Sequence, residues 1–109
     1  MDTINTRQGE TLELEFKTDN PLAVEATLYV GVVGESPILV FTVPIADSIA
    51  NMVIHADDYF SNEIGEYKYQ VNLAYADERV EIYPIPEDCQ NGELPDFNIY
   101  ASLGDGVVS

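Results

Sequence analysis

Positive charge is nearly missing from this chain. Its 109 residues hold 4 Lys and Arg against 20 Asp and Glu, a formal net charge of -16. Nucleic-acid binding rests on neutralising phosphates with cations, so a DNA or RNA partner is excluded. An anionic membrane surface is excluded for the same reason. Cysteine is limited to Cys89 and histidine to His55, and tryptophan is absent. One cysteine allows no internal disulfide, so the fold does not depend on an oxidising compartment. No apolar run approaches the roughly 20 residues that a spanning helix needs. Met1 to Asn5 shows neither the basic nor the apolar region of a secretory leader, so the expected place of synthesis and folding is a cytoplasm. Long segments of helical period are missing too, which removes the parallel α/β folds.

The chain does have enough apolar residues for a core, 46% of the total, with 7 Tyr and 4 Phe. At this length one domain is expected, without need of staples. Thr11 to Lys17 alternates strictly, with Leu12, Leu14 and Phe16 on one face and Glu13, Glu15 and Lys17 on the other, the mark of a half-buried strand. Gly9-Glu10 before it and Asp19-Asn20-Pro21 after it are turn signals. Ala26 to Val33 predicts a second strand, and Gly34 to Pro37 a hairpin-like connection. Ile38 to Val43 is apolar on both faces. Asn51 to Ile54 is a short strand, and Asp57 to Asn62 predicts one helical turn. Tyr67 to Tyr75 sets Tyr67, Tyr69, Val71, Leu73 and Tyr75 against Lys68, Gln70 and Asn72. Arg79 to Tyr83 alternates after the turn at Ala76 to Glu78. Beyond Pro84 the texture turns polar and proline-rich, with Phe97–Ala101 as a candidate last strand. The expected organisation is an antiparallel Ig-like β-sandwich of about seven strands over residues 1–85, followed by a C-terminal arm, 86–109.

The segment Glu63-Ile64-Gly65-Glu66-Tyr67-Lys68-Tyr69-Gln70-Val71 carries the most specific pattern. A short helical turn followed by Gly-x-Tyr-x-Tyr-x-Val resembles the tyrosine corner of Ig-like sandwiches. That resemblance assigns Gly65 and Tyr67 to a structural corner, with the Tyr67 hydroxyl bonding back to upstream backbone. Tyr69 stands where an antibody domain has a cysteine, and with no Trp present the classical Ig pattern is not met. A Gly-Glu-Thr-Leu-x-Leu-x-Phe opening strand precedes this segment. Over residues 8 to 85 the order of parts resembles the N-terminal Ig-like module of phage baseplate upper proteins and related small tailed-phage virion proteins. The resemblance implies a non-enzymatic virion component, assembled in the host cytoplasm and present in many copies.

Residues with catalytic potential are few and scattered. His55 follows a strand and is far in sequence from Cys89, whose acidic neighbours depress thiol reactivity. No zinc-ligand spacing, phosphate loop or nucleophile elbow occurs. Paired acids such as Asp57-Asp58 and Asp77-Glu78 are expected by chance at this acid content. Asp57, Asp58 and Asp77 would be the oxygen ligands were calcium to bind, although no loop has the D-x-D-x-D-G form. The expectation is no catalytic residue, no cofactor and no metal.

Apolar surface is the remaining candidate feature. Leu39, Phe41 and Val43 oppose Ile38, Val40 and Thr42, and both sets cannot face one core. Either Phe97, Ile99 and Tyr100 cover the second face, or Leu39, Phe41, Val43, Phe97, Ile99 and Tyr100 contribute to an interface with other virion proteins or further copies of the chain. The function expected is a tailed-phage structural protein: a capsid decoration, tail or fibre-attachment subunit. The alternatives are an Ig-like module of a bacterial surface protein and an acidic DNA-mimic inhibitor.

Overall fold

The computed structural model describes residues 3–19, 21–55, 63–84 and 92–101. These residues are all-β, with eight strands and no α-helix among them: β1 (Ile4–Arg7), β2 (Leu12–Lys17), β3 (Ala23–Gly31), β4 (Leu39–Pro44), β5 (Ile49–Ile54), β6 (Gly65–Tyr75), β7 (Val80–Tyr83) and β8 (Asp96–Tyr100). Six of them form one curled, mixed sheet in the order β1-β8-β6-β3-β4, with β7 also paired to β6. The other two, β2 and β5, form a small antiparallel sheet. The expected helical turn at 57–62 lies outside the described residues.

The antiparallel sandwich read from the sequence is corrected in three respects. Eight strands are present among the described residues, six lie in one half-barrel-like sheet, and β1 runs parallel to β8. That parallel pair arises because two segments at opposite ends of the sequence meet side by side, a placement that alternation within either segment does not encode.

The longest strand, β6, is the spine. Its inward row Tyr69, Val71, Leu73 and Tyr75 is buried, as the alternation of YKYQVNLAY requires. One edge of β6 pairs antiparallel with β3. The edge away from β3 is shared, with β8 on Gly65–Lys68 and β7 on Val71–Ala74. On β3 the inward residues are Ala26, Leu28 and Val30, all fully buried, while Val32 and Val33 fall beyond the strand and are exposed. The inner face of the small sheet, Leu12, Leu14 and Phe16 with Ala50, Met52 and Ile54, closes the core from the other side.

Strand β8 lies where Phe97–Ala101 was the candidate last strand of the C-terminal segment. Its described part is internal to the sheet, between β1 and β6, with Phe97 and Ile99 at 0% and 1% exposure. The Phe97 ring meets Tyr69 edge-on, with centroids 6.1 Å apart. Residues 85–91 and 102–109 lie outside the described set.

Tight turns set the strand registers. Asp47 and Ser48 join β4 to β5 with φ of 54° and 63°, inside mutual backbone bonds of 3.0 Å between Ala46 and Ile49. Two left-handed central residues are the signature of a type I′ turn, whose preferred second residue is glycine. After this turn β4 and β5 part into different sheets. Gly9 and Gly34, at φ of 89° and 90°, each sit one residue before the donor of a turn bond, Glu10 N to Arg7 O and Glu35 N to Val32 O.

Two stability measurements follow from this packing. Ser48→Gly relieves the left-handed serine and should raise unfolding free energy by about 0.5–1 kcal/mol in chemical denaturation; a loss of stability would contradict the turn assignment. Phe97→Ala should cost about 3–5 kcal/mol, and removal of residues 84–109 should abolish cooperative melting. A truncated chain that still melts cooperatively would show that β8 is dispensable.

Candidate functional site

Every strand of the large sheet has an outer row, and the central part of that face is unlike the rest of the molecule. Thr27 lies between Thr42 and Asn72, and Asn72 is followed by Ile82 of β7. The next row holds Val40, Tyr29 and Gln70. None of these residues is charged, in a chain of net charge -16. Glu25 stands at one end of the face and Lys68 at the other, and Lys68 is paired with Asp96 at 2.5 Å. That hydrogen bond holds the Lys68 ammonium above its ordinary pKa. The outer row of β2 is the contrast, with Glu13, Glu15 and Lys17 all exposed.

Four polar side chains of the uncharged face bond to one another in pairs. The Thr27 and Thr42 hydroxyls are 2.9 Å apart, and Gln70 Nε2 donates to Asn72 Oδ1 at 2.8 Å. A polar group already hydrogen-bonded within the protein loses less on leaving water than one that depends on solvent. Between them stand exposed apolar side chains, Val40 at 51% and Ile82 at 47%, with Val80 beside Ile82 at 57%. Such a surface can be covered by a partner at low desolvation cost. A shallow recess opens at the Gly31 end, bounded by Tyr29, Val32, Val33, Pro37 and Leu94.

The residues singled out from the sequence fall in three places. Leu39 is buried and Phe41 and Val43 are half-buried, all on the inner row of β4. Phe97 and Ile99 lie wholly inside the core, so their side chains are covered by the chain itself and offer no surface to a partner. Tyr100 is on the outer side at 46% exposure, its hydroxyl 3.3 Å from Asn5 Oδ1 and its ring facing the Arg7 guanidinium. The outer-row residues Thr27, Tyr29, Val40, Gln70, Asn72 and Ile82 were not singled out. The available signal was the run of uncharged residues at the outward positions Thr27 and Tyr29 of β3, Val40 and Thr42 of β4, and Gln70 and Asn72 of β6, with Glu25 and Glu66 only toward the strand ends.

Tyr67 donates to the backbone carbonyl of Glu63 at 2.7 Å, and Gly65 packs beside the Tyr67 ring. Burial and then the Glu63 carboxylate push the Tyr67 hydroxyl above its usual pKa.

A second polar cluster surrounds Glu81. Its carboxylate accepts from the hydroxyls of Tyr75 and Tyr83. Burial and the Glu81 charge raise the Tyr83 pKa. Arg79 lies over the Tyr75 ring and bonds Asp77 at 2.7 Å, which lowers the Asp77 pKa. This pairing engages the one calcium candidate that is described; Asp57 and Asp58 lie outside the described residues. Among the described residues no three His, Cys, Asp or Glu side chains are grouped as a metal site, and no helix is long and apolar enough to cross a membrane. His55 is exposed just past β5, and Cys89 lies outside the described residues. No protein-family model and no curated protein matches the chain.

Tyr67 generates a pH prediction. In an unfolded chain its hydroxyl ionises near pH 10, whereas the folded chain keeps the proton to higher pH. The unfolded state therefore loses protons first, and stability falls as pH rises above about 10. Tyr67→Phe should cost about 1 kcal/mol at neutral pH and flatten that alkaline decline, leaving the share due to Tyr83. Thermal melts across this range, in which the variant lost stability as steeply as the parent, would remove Tyr67 as its source.

Proposed function

We propose that the chain is a structural virion protein of a tailed bacteriophage, a capsid decoration, tail or fibre-attachment subunit, and that it acts by binding other proteins and catalyses nothing. The observation that carries the protein-binding part is the uncharged outer face, where the polar groups are bonded to each other and valine and isoleucine remain exposed. The virion part rests on the order of strands and the Gly-x-Tyr-x-Tyr-x-Val corner. In this reading the fold is a curled relative of the Ig-like sandwich. The Tyr67–Glu63 bond and the two facing sheets support that kinship.

The surplus of acid has a role in such a particle. Acidic surfaces on neighbouring subunits repel one another and repel packaged DNA, so binding is confined to surfaces where charge is absent. The outer row of β2, with Glu13 and Glu15, then faces solvent.

Particles purified by density gradient from cells expressing the chain at its native locus test this function. Mass spectrometry should find it at stoichiometric levels in tailed particles. Ile82→Glu should lower its incorporation at least about tenfold, while the melting temperature of the free protein stays within the small range usual for surface substitutions. Absence of the parent chain from the particles would overturn the virion reading.

A further inference from the structure

Strand β4 is the last strand of the large sheet, and it pairs only with β3 among the described strands. Its sequence, LVFTVP, contains no charge. Open sheet edges invite pairing with other chains, and proteins ordinarily blunt them with charged side chains. The other edges of this molecule are blunted in that way. β1 ends in Arg7, β2 carries Glu13, Glu15 and Lys17, and β7 carries Glu81. Strand β5 has no charge of its own, but its outward residues Asn51 and Val53 stand directly opposite Glu15 and Glu13. The outward neighbours of β4 are Tyr29 and Thr27 along Val40 and Thr42, with Glu25 only at the Pro44 end.

We infer that β4 is the site of self-association, pairing antiparallel with β4 of a second copy about a two-fold axis through Phe41. This deepens the protein-binding reading above, on which it rests, by naming the partner. The argument for a second copy is charge together with self-complementarity. Two chains of net charge -16 repel over most of their surfaces, and they can approach closely only where both are uncharged. With the two-fold axis normal to the sheet, inner rows stay on one side and outer rows on the other. Leu39 then lies opposite Val43 of the second copy, Phe41 opposite Phe41, and Val40 opposite Thr42. Every pair is apolar or β-branched, and none opposes like charges. The pairing would also cover the remaining exposure of the half-buried Phe41 and Val43. The two large sheets join edge to edge, and the uncharged outer faces become one continuous surface for other virion proteins.

Sedimentation and light scattering of the full chain test the inference. The parent chain should show a dimer mass that strengthens as salt rises from about 0.15 to about 1 M, because screening removes the repulsion between copies. Val40→Lys with Thr42→Lys sets lysine opposite lysine twice and should weaken dimerisation at least about tenfold, even though it lowers the net negative charge. Val40→Lys with Thr42→Glu sets lysine opposite glutamate twice and should restore the dimer. Val40 and Thr42 are exposed, so both variants should keep the parent's circular dichroism. Hydrogen exchange supplies a second readout, since protection of the β4 amides should rise with concentration in the parent chain. A parent monomer at about 1 mM and high salt, a dimer that survives the double lysine, or no rescue by the charge swap would overturn the pairing. A monomer that still enters particles fails this inference alone, and a dimer absent from particles fails the virion reading alone.

Discussion

Burial of the inward row of β6 organises everything else in this molecule. Tyr69, Val71, Leu73 and Tyr75 need apolar partners across from them, and a strand of this length can recruit neighbours along both edges. β3 takes one edge, bringing Ala26, Leu28 and Val30 to the same core. The other edge is divided between β8 and β7, so one strand gathers segments from the middle and the end of the sequence. β1 then joins through β8, and the small sheet closes the open side. Phe97 against Tyr69 is the contact through which the C-terminal segment becomes part of the core.

Electrostatics acts on the outside of this frame as burial acts on the inside. Twenty acidic residues in so small a domain must be held apart and solvated, and the exposed row of β2 shows them so. Few cations are available to offset them: Lys68 is paired with Asp96 and Arg79 with Asp77. Against that background, the uncharged outer face of the large sheet and the uncharged edge at β4 are where an approaching protein meets the least electrostatic cost. The two features adjoin, because Thr42 and Val40 belong to both. One surface thus serves the proposed assembly in two directions, along the sheet to another copy and away from it to a different partner.

Some of this arrangement was legible in the residues. The alternations in Thr11–Lys17 and Tyr67–Tyr75 identify inward and outward rows correctly, because side-chain direction in a strand depends only on local geometry. The turn signals at Gly9 and Gly34 fall at left-handed positions, and Tyr67 bonds upstream backbone as its motif implies. The proposed interface was only partly legible. Leu39, Phe41 and Val43 lie on the strand of the proposed edge pairing, but their side chains face the core, and it is the edge and outer row of β4 that are open among the described strands. For Phe97 and Ile99 the residues left open a covering strand or an interface, because their strand lies after a proline-rich stretch where no local pattern tells a covered strand from an extended arm.

By itself the sequence determined the all-β class, the inward rows of β2 and β6, the acidic surface and the bond from Tyr67 to upstream backbone. Each follows from residue type and short-range spacing, which act within a few residues of the backbone. Tertiary structure alone decided the parallel pairing of β1 with β8, the six-and-two division of the strands, the burial of Phe97 and Ile99, and the open edge at β4. Those outcomes depend on which distant segments meet. That choice is made by the total apolar area the chain can bury at once, a property of the whole chain that no single strand carries.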